Sequence, residues 1–114
     1  MMSNTKVLAI VNAAVLGKGD GLYRVRNLTL DEARALLDRY GDHIESYVGH
    51  QSTADLMSTL LGREVKMKRT FLTQEVGQTA LIFKLDGRPE EGKIYSVEEI
   101  EAMGYYFQAL EKLE

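Results

Sequence analysis

The chain has 114 residues, which is room for one compact domain and not for two. Hydrophobic residues make up 45% and charged residues 27%, and the net charge of −3 argues against a general electrostatic grip on long nucleic acid. With no cysteine, disulfides, thiolate metal sites and cysteine nucleophiles are excluded.

The N-terminal run MMSNTKVLAIVNAAVLG suits a first strand better than a signal peptide, and no segment has the apolar length of a membrane span. A cytoplasmic, soluble protein is expected, with no membrane partner. Within that run Lys6 to Val11 (KVLAIV) is apolar after its first residue, as a strand buried on both faces would be. A small-residue loop with Gly17, Gly19 and Gly21 follows, then a strand over Leu22 to Leu28. The first helix has Thr29 as N-cap, Asp31 and Glu32 at its positive end, and Gly41 as its stop. His43 to Val48 reads as a short strand. Ser52 or Thr53 is expected to cap a second helix that stops at Gly62.

Glu64 to Phe71 (EVKMKRTF) alternates like a strand that places Lys66 and Lys68 on one face and Arg69 on the other. Ala80 to Leu85 reads as another buried strand. The single proline lies in the charged turn DGRPEEGK, and Ser96 with Glu99 forms a capping box for a helix through Met103. The tail GYYFQALEKLE fits a strand and a helix equally well. Interleaved elements in one domain, 1–114, predict an α/β fold: a mixed β-sheet of about five strands flanked by helices. Dimerisation would help a domain of this size.

Three features could carry chemistry. At YVGHQST, a strand ends in glycine and His50 stands at the mouth of a helix. Backbone N–H groups and a partial positive charge gather there, and Ser52 and Thr53 add hydroxyls. The plain alternative is a capped helix beside an exposed histidine. In RPEEGK, Arg88 can fork onto phosphate oxygens and Glu91 can orient a base or a hydroxyl; the alternative is a solvated turn with internal ion pairs. Arg69 is a lone cation on an otherwise apolar strand face. Two distant histidines and no HxxxH or carboxylate triplet predict no metal site, LGKGDG lacks a Walker ending, and no nucleophile elbow is present.

Taken in order, VLAIVNAAVLG, GHQST with a helix ending LLG, KMKR and RPEEGKIYSVEEIEAM resemble the viral anti-CRISPR ring nucleases of type III CRISPR defence and their bacterial relatives. The resemblance covers nearly the whole chain. It implies a single ring-nuclease-like domain in a symmetric homodimer, whose ligand is the second messenger cyclic tetra-adenylate, with no cofactor and no DNA partner. The product implied is linear di-adenylate with a 2′,3′-cyclic phosphate, formed without metal, which would switch off the signal in the host cytoplasm. His50 matches the family's catalytic histidine, Glu91 its catalytic-site glutamate and Arg88 its phosphate-contacting arginine. Asn12, Ser52, Thr53 and Arg69 match ligand-binding positions. Val15, Gly17 and Lys84 differ from the archaeal viral pattern, which bears on contacts to the adenines and on ring size. The rival expectations are a non-catalytic dimer that sequesters a cyclic oligoadenylate, a small nucleic-acid-binding dimer using KMKRTF, and an interaction protein with no ligand.

Overall fold

The structure is a computed structural model that describes residues 6–13 and 16–114. Strand β1 (Leu8–Val11) is apolar at every position because every position is buried. It lies inside the sheet, parallel to β3 (Ile44–Ser46) on one side and to β4 (Thr79–Leu85) on the other. Strand β5 (Tyr105–Lys112) runs antiparallel to both β4 and the edge strand β2 (Tyr23–Leu28), giving the order β2-β5-β4-β1-β3. The expected mixed five-stranded sheet flanked by helices is therefore present.

Helices α1 (Leu30–Tyr40), α2 (Gln51–Leu61) and α3 (Val97–Met103) cover one face. Their apolar positions, with Leu8, Leu81, Phe83 and Phe107 from the strands, form the main core. Helix α1 begins with a full capping box, Thr29 accepting from the Glu32 N–H while Glu32 accepts from the Thr29 N–H. Ser96 and Glu99 repeat it at α3. Gly62 closes α2 with φ +70°, a left-handed position where any side chain would be strained. On the other face a smaller apolar cluster (Ala9, Val11, Ala80, Ile82, Leu110) packs against Tyr23, Tyr47 and Leu72.

Two expectations need correction. The segment Glu64 to Phe71 is not a strand: one parallel bridge, Val48 to Met67, is all its pairing among the described residues. Its neighbour β3 has only three residues, and beyond Val65 the side chains are exposed, Met67 included, so no buried face holds a register. Two buried glutamines then attach the chain to the sheet. Gln74 Nε2 donates to the carbonyls of Gln78 and Leu110, and Gln78 Nε2 donates to that of Val7. The second correction concerns α2, whose N-cap is His50, extended at φ −132° and making no side-chain cap bond. The helix starts one residue before the hydroxyls, so Ser52 and Thr53 sit in its first turn and cap nothing. The ambiguous tail is a strand, β5. It is buried on both faces near its middle, which is why its apolar residues also fit a helical spacing.

Candidate functional site

The parallel strands β1, β3 and β4 end on the same edge of the sheet, the usual place for a site in such folds. Asn12 follows β1, Gly49 and His50 follow β3, and Lys84 is the last residue but one of β4, ahead of the turn carrying Arg88 and Glu91. Asn12, His50, Ser52, Thr53, Arg88 and Glu91 all line one cleft of about 480 Å³ between these ends. Six of the seven residues singled out from sequence thus meet in one place. The seventh, Arg69, lines a hollow of about 240 Å³ next to it, and Asn12 and His50 belong to both. Arg69 Nε donates to the Gly49 carbonyl at 3.3 Å, which holds its guanidinium beside the residue preceding His50.

The start of α2 differs electrostatically from the other two helix starts. Helices α1 and α3 each place two acids in their first turn and a side-chain oxygen on their N–H groups. Helix α2 has neither. Its first-turn N–H groups keep the partial charge that an anion would neutralise. Neither the Ser52 nor the Thr53 hydroxyl makes a hydrogen bond among the described residues, so both remain available to a ligand.

The Arg88 turn is held from behind: the Glu90 N–H donates to the Tyr95 hydroxyl at 2.9 Å, and the Tyr95 ring is buried. Glycines at 87 and 92, with φ of +118° and +80°, turn the chain at either side. The ion pair here is Lys93 with Glu99 at 3.4 Å, Lys93 also lying 4.7 Å from the Tyr95 ring centre. Arg88 and Glu91 are exposed and make no ion pair among the described residues, so the plain reading of a self-neutralised turn does not describe them.

In the basic segment Lys68 is already engaged. It pairs with Glu45 and lies 4.9 Å from the Tyr47 ring centre. The hydrogen bond from Lys68 holds the Glu45 carboxyl below its ordinary value, and burial pushes the Tyr47 hydroxyl up. Arg69 is the cation this segment turns toward His50. His50 is exposed, and no hydrogen bond reaches its imidazole among the described residues. Among those residues, too, no three His, Cys, Asp or Glu side chains converge as a metal site.

Sequence reasoning did not place Phe83 or Leu85 in the cleft, nor Tyr47, Phe71 and Leu72 in the hollow, and it named Lys84 only as a departure from the archaeal pattern bearing on the adenine contacts. For Lys84 a signal existed: it is the one charge in the run ALIFKL, at the end where a parallel strand meets ligands. Of the other departures from the archaeal pattern, Gly17 lies in an exposed loop and Val15 falls outside the described residues. No described helix is long and apolar enough to cross a membrane.

Residues 8–107 match the model of the STIV B116-like family. The solved structure of B116 of Sulfolobus turreted icosahedral virus aligns with a TM-score of 0.82 at 26% identity, covering 92% of this chain and 98% of that one. The uncharacterized protein YddF of Bacillus subtilis is 30% identical over 107 residues, 94% of this chain and 98% of its own. Uncharacterized protein 26 of Sulfolobus islandicus filamentous virus is 34% identical over 103 residues, 87% and 86% of the two chains.

Proposed function

From the membership of this chain in the STIV B116-like family, and from the cleft its strand ends build, we propose that it is a ring nuclease. It binds cyclic tetra-adenylate as a symmetric homodimer and converts it to linear di-adenylate with a 2′,3′-cyclic phosphate. The observation that carries this reading is the meeting of Asn12, His50, Ser52, Thr53, Arg88 and Glu91 around one cleft. These residues come from three segments far apart in sequence, and the arginine, hydroxyls and histidine among them suit a phosphodiester.

A ring phosphate sits over the uncapped start of α2, accepting from its N–H groups and from Ser52 and Thr53. Arg88 and Lys84 face it from across the cleft and offset the charge that builds on the phosphoryl oxygens in the transition state. An adenine enters the adjoining hollow, where Tyr47, Phe71 and Leu72 give an apolar wall and Arg69 a cationic edge. The ribose 2′-oxygen attacks the adjacent phosphorus and the bond from phosphorus to the 5′-oxygen breaks. His50 gives its proton to the departing 5′-oxygen, and the proton of the 2′-hydroxyl goes to solvent. Glu91 orients His50 or the reacting ribose. Holding the ring in the in-line geometry that free RNA seldom visits supplies much of the acceleration. Two copies of His50 about a two-fold axis cut opposite linkages, which yields two di-adenylates from one ring.

The second reading is a dimer that sequesters the ring without cutting it. Its support is that the His50 imidazole has no partner fixing its orientation among the described residues. The separating experiment is a cleavage assay on cyclic tetra-adenylate with EDTA present, wild type beside His50→Ala. A general acid is worth about 10²–10⁴-fold, so His50→Ala should lose that factor in rate and keep binding. Unchanged turnover in His50→Ala refutes the assignment, and tight binding with no turnover by either protein selects the sequestering dimer.

A further inference from the structure

The opposite edge of the sheet, where β1 and β4 begin, carries a second concave site that shares no residue with the cleft around His50. On edge strand β2, Arg24 and Arg26 are two apart and so project to one face, the face that α1 covers. Helix α1 ends short of that corner, leaving a notch of about 400 Å³. Leu36, Tyr40 and Ala109 provide its apolar surface, with Arg39 from the last turn of α1, His43 and Lys6 around it. The small side chain of Ala109, opposite Arg26 in the β2–β5 register, leaves the space open.

The charge here is unusual for a chain whose net charge is −3. Among the described residues Glu111 is the one carboxylate lining the notch, and it pairs with Arg24 at 3.7 Å. Arg26 and Arg39 make no hydrogen bond or ion pair among the described residues. The charge of Arg26 is felt by Glu32, whose carboxyl it helps lower, though less than the Thr29 cap does. Lys6 stands at the rim, donating to the Val76 carbonyl at 2.6 Å. The carbonyls at the end of α1 would oppose an anion, but Arg63 already donates to those of Leu37 and Gly41. Three guanidinia facing a single lining carboxylate repel one another, and an anion reduces that cost.

We propose that this notch is a second ligand site, for a small molecule bearing a chain of phosphates. A single phosphate would occupy one guanidinium fork. Cations arriving separately from β2 and from α1, with Lys6 at the rim, suit several linked phosphates, and the volume lies in the range of about 300–1,000 Å³ usual for small-ligand sites. The apolar floor, with the Tyr40 ring beside it, leaves room for an organic group on the phosphate chain.

The test is calorimetric titration of the full chain with inorganic tripolyphosphate at low ionic strength. It is made in an Arg88→Ala background, which weakens the contribution of the cleft around His50. Binding is expected there. In Arg26→Gln/Arg39→Gln it should weaken at least about tenfold through the loss of two charge-assisted contacts. Glu111→Gln should tighten it, because Arg24 is then released toward the ligand. No binding by the Arg88→Ala protein, or binding unaltered by the double substitution, overturns the proposal. A double variant melting well below wild type without tripolyphosphate would give the guanidinia a structural role, and overturns it too.

Discussion

Replacing Gln74 tests how the segment that carries Arg69 is held against the sheet. Gln74 is 7% exposed, and its amide donates at 2.7 Å to the Gln78 carbonyl and at 2.8 Å to that of Leu110. Gln74→Leu keeps most of the volume and removes both bonds. The Gln78 carbonyl also accepts from the Lys112 N–H at 3.1 Å, so it is not orphaned and the full penalty for a buried unpaired acceptor does not apply. Two bonds at about 1 kcal/mol each give a loss of about 2 kcal/mol. Gln74→Ala also gives up buried side-chain packing and should lose about 3 kcal/mol. Urea unfolding followed by far-ultraviolet circular dichroism measures both, at one protein concentration, because self-association would shift the apparent stability. A Gln74→Leu protein within about 0.5 kcal/mol of wild type, the range of ordinary surface substitutions, would refute the reasoning. It would mean that Gln78, Leu72 and the backbone bonds of the segment hold it without Gln74.

Other expectations follow from the same structure. Phe83 is 1% exposed with its ring centre 5.2 Å from that of Phe107 and 5.9 Å from that of Tyr105, so Phe83→Ala should cost about 3–5 kcal/mol in the same unfolding experiment. Gly62→Ala meets no neighbour but must adopt φ +70°, at a cost of about 1–2 kcal/mol; a neutral result would mean that α2 ends differently in solution. Glu32, Glu45 and Glu99 have carboxyls held below the ordinary 4.5, by the Thr29 cap, by Lys68 and by the Ser96 cap respectively. The folded chain therefore binds these protons less readily than the unfolded one. Their stabilisation is complete above 4.5 and is lost as the pH falls through the lowered values. Unfolding at pH values on either side of 4.5 should show the loss, and Lys68→Gln should make it smaller; an equal loss in that variant would remove Lys68 as the cause.

The parts of the fold legible in sequence were those set by local chemistry. Thr29 with Glu32, Ser96 with Glu99, and the glycines at 41 and 62 each fix a helix end within a few residues, and each stands where sequence reading put it. The errors arose where a partner elsewhere decides the outcome. EVKMKRTF has the alternation of a strand, but no neighbouring strand is long enough to pair with it. YYFQALEK has no decisive periodicity because a central strand buries both of its faces. At α2, Ser52 and Thr53 were natural caps by residue type, yet the extended backbone of His50 takes that position one step earlier. The cleft was legible because its residues came as short motifs at strand ends. Its adjoining hollow was not, since Tyr47, Phe71 and Leu72 are ordinary apolar residues that only the packing of the 64–78 segment brings together.

The strand order has a kinetic consequence. The last strand of the domain lies between β2 and β4, and β2 pairs with nothing else in the sheet: Tyr23 must find Lys112, and Leu28 must find Phe107. Until β5 arrives, β2 stays an unpaired ribbon and Phe83 lacks the ring of Phe107. Closing so long a loop is slow but adds little to the equilibrium cost, because loop entropy grows only with the logarithm of length. During synthesis on a ribosome, β1, β3 and β4 can pair with one another as they emerge, but the sheet cannot be completed from the N-terminus. Its β2 side waits for the segment from 105 to 112, and with it waits the packing of Phe83 in β4.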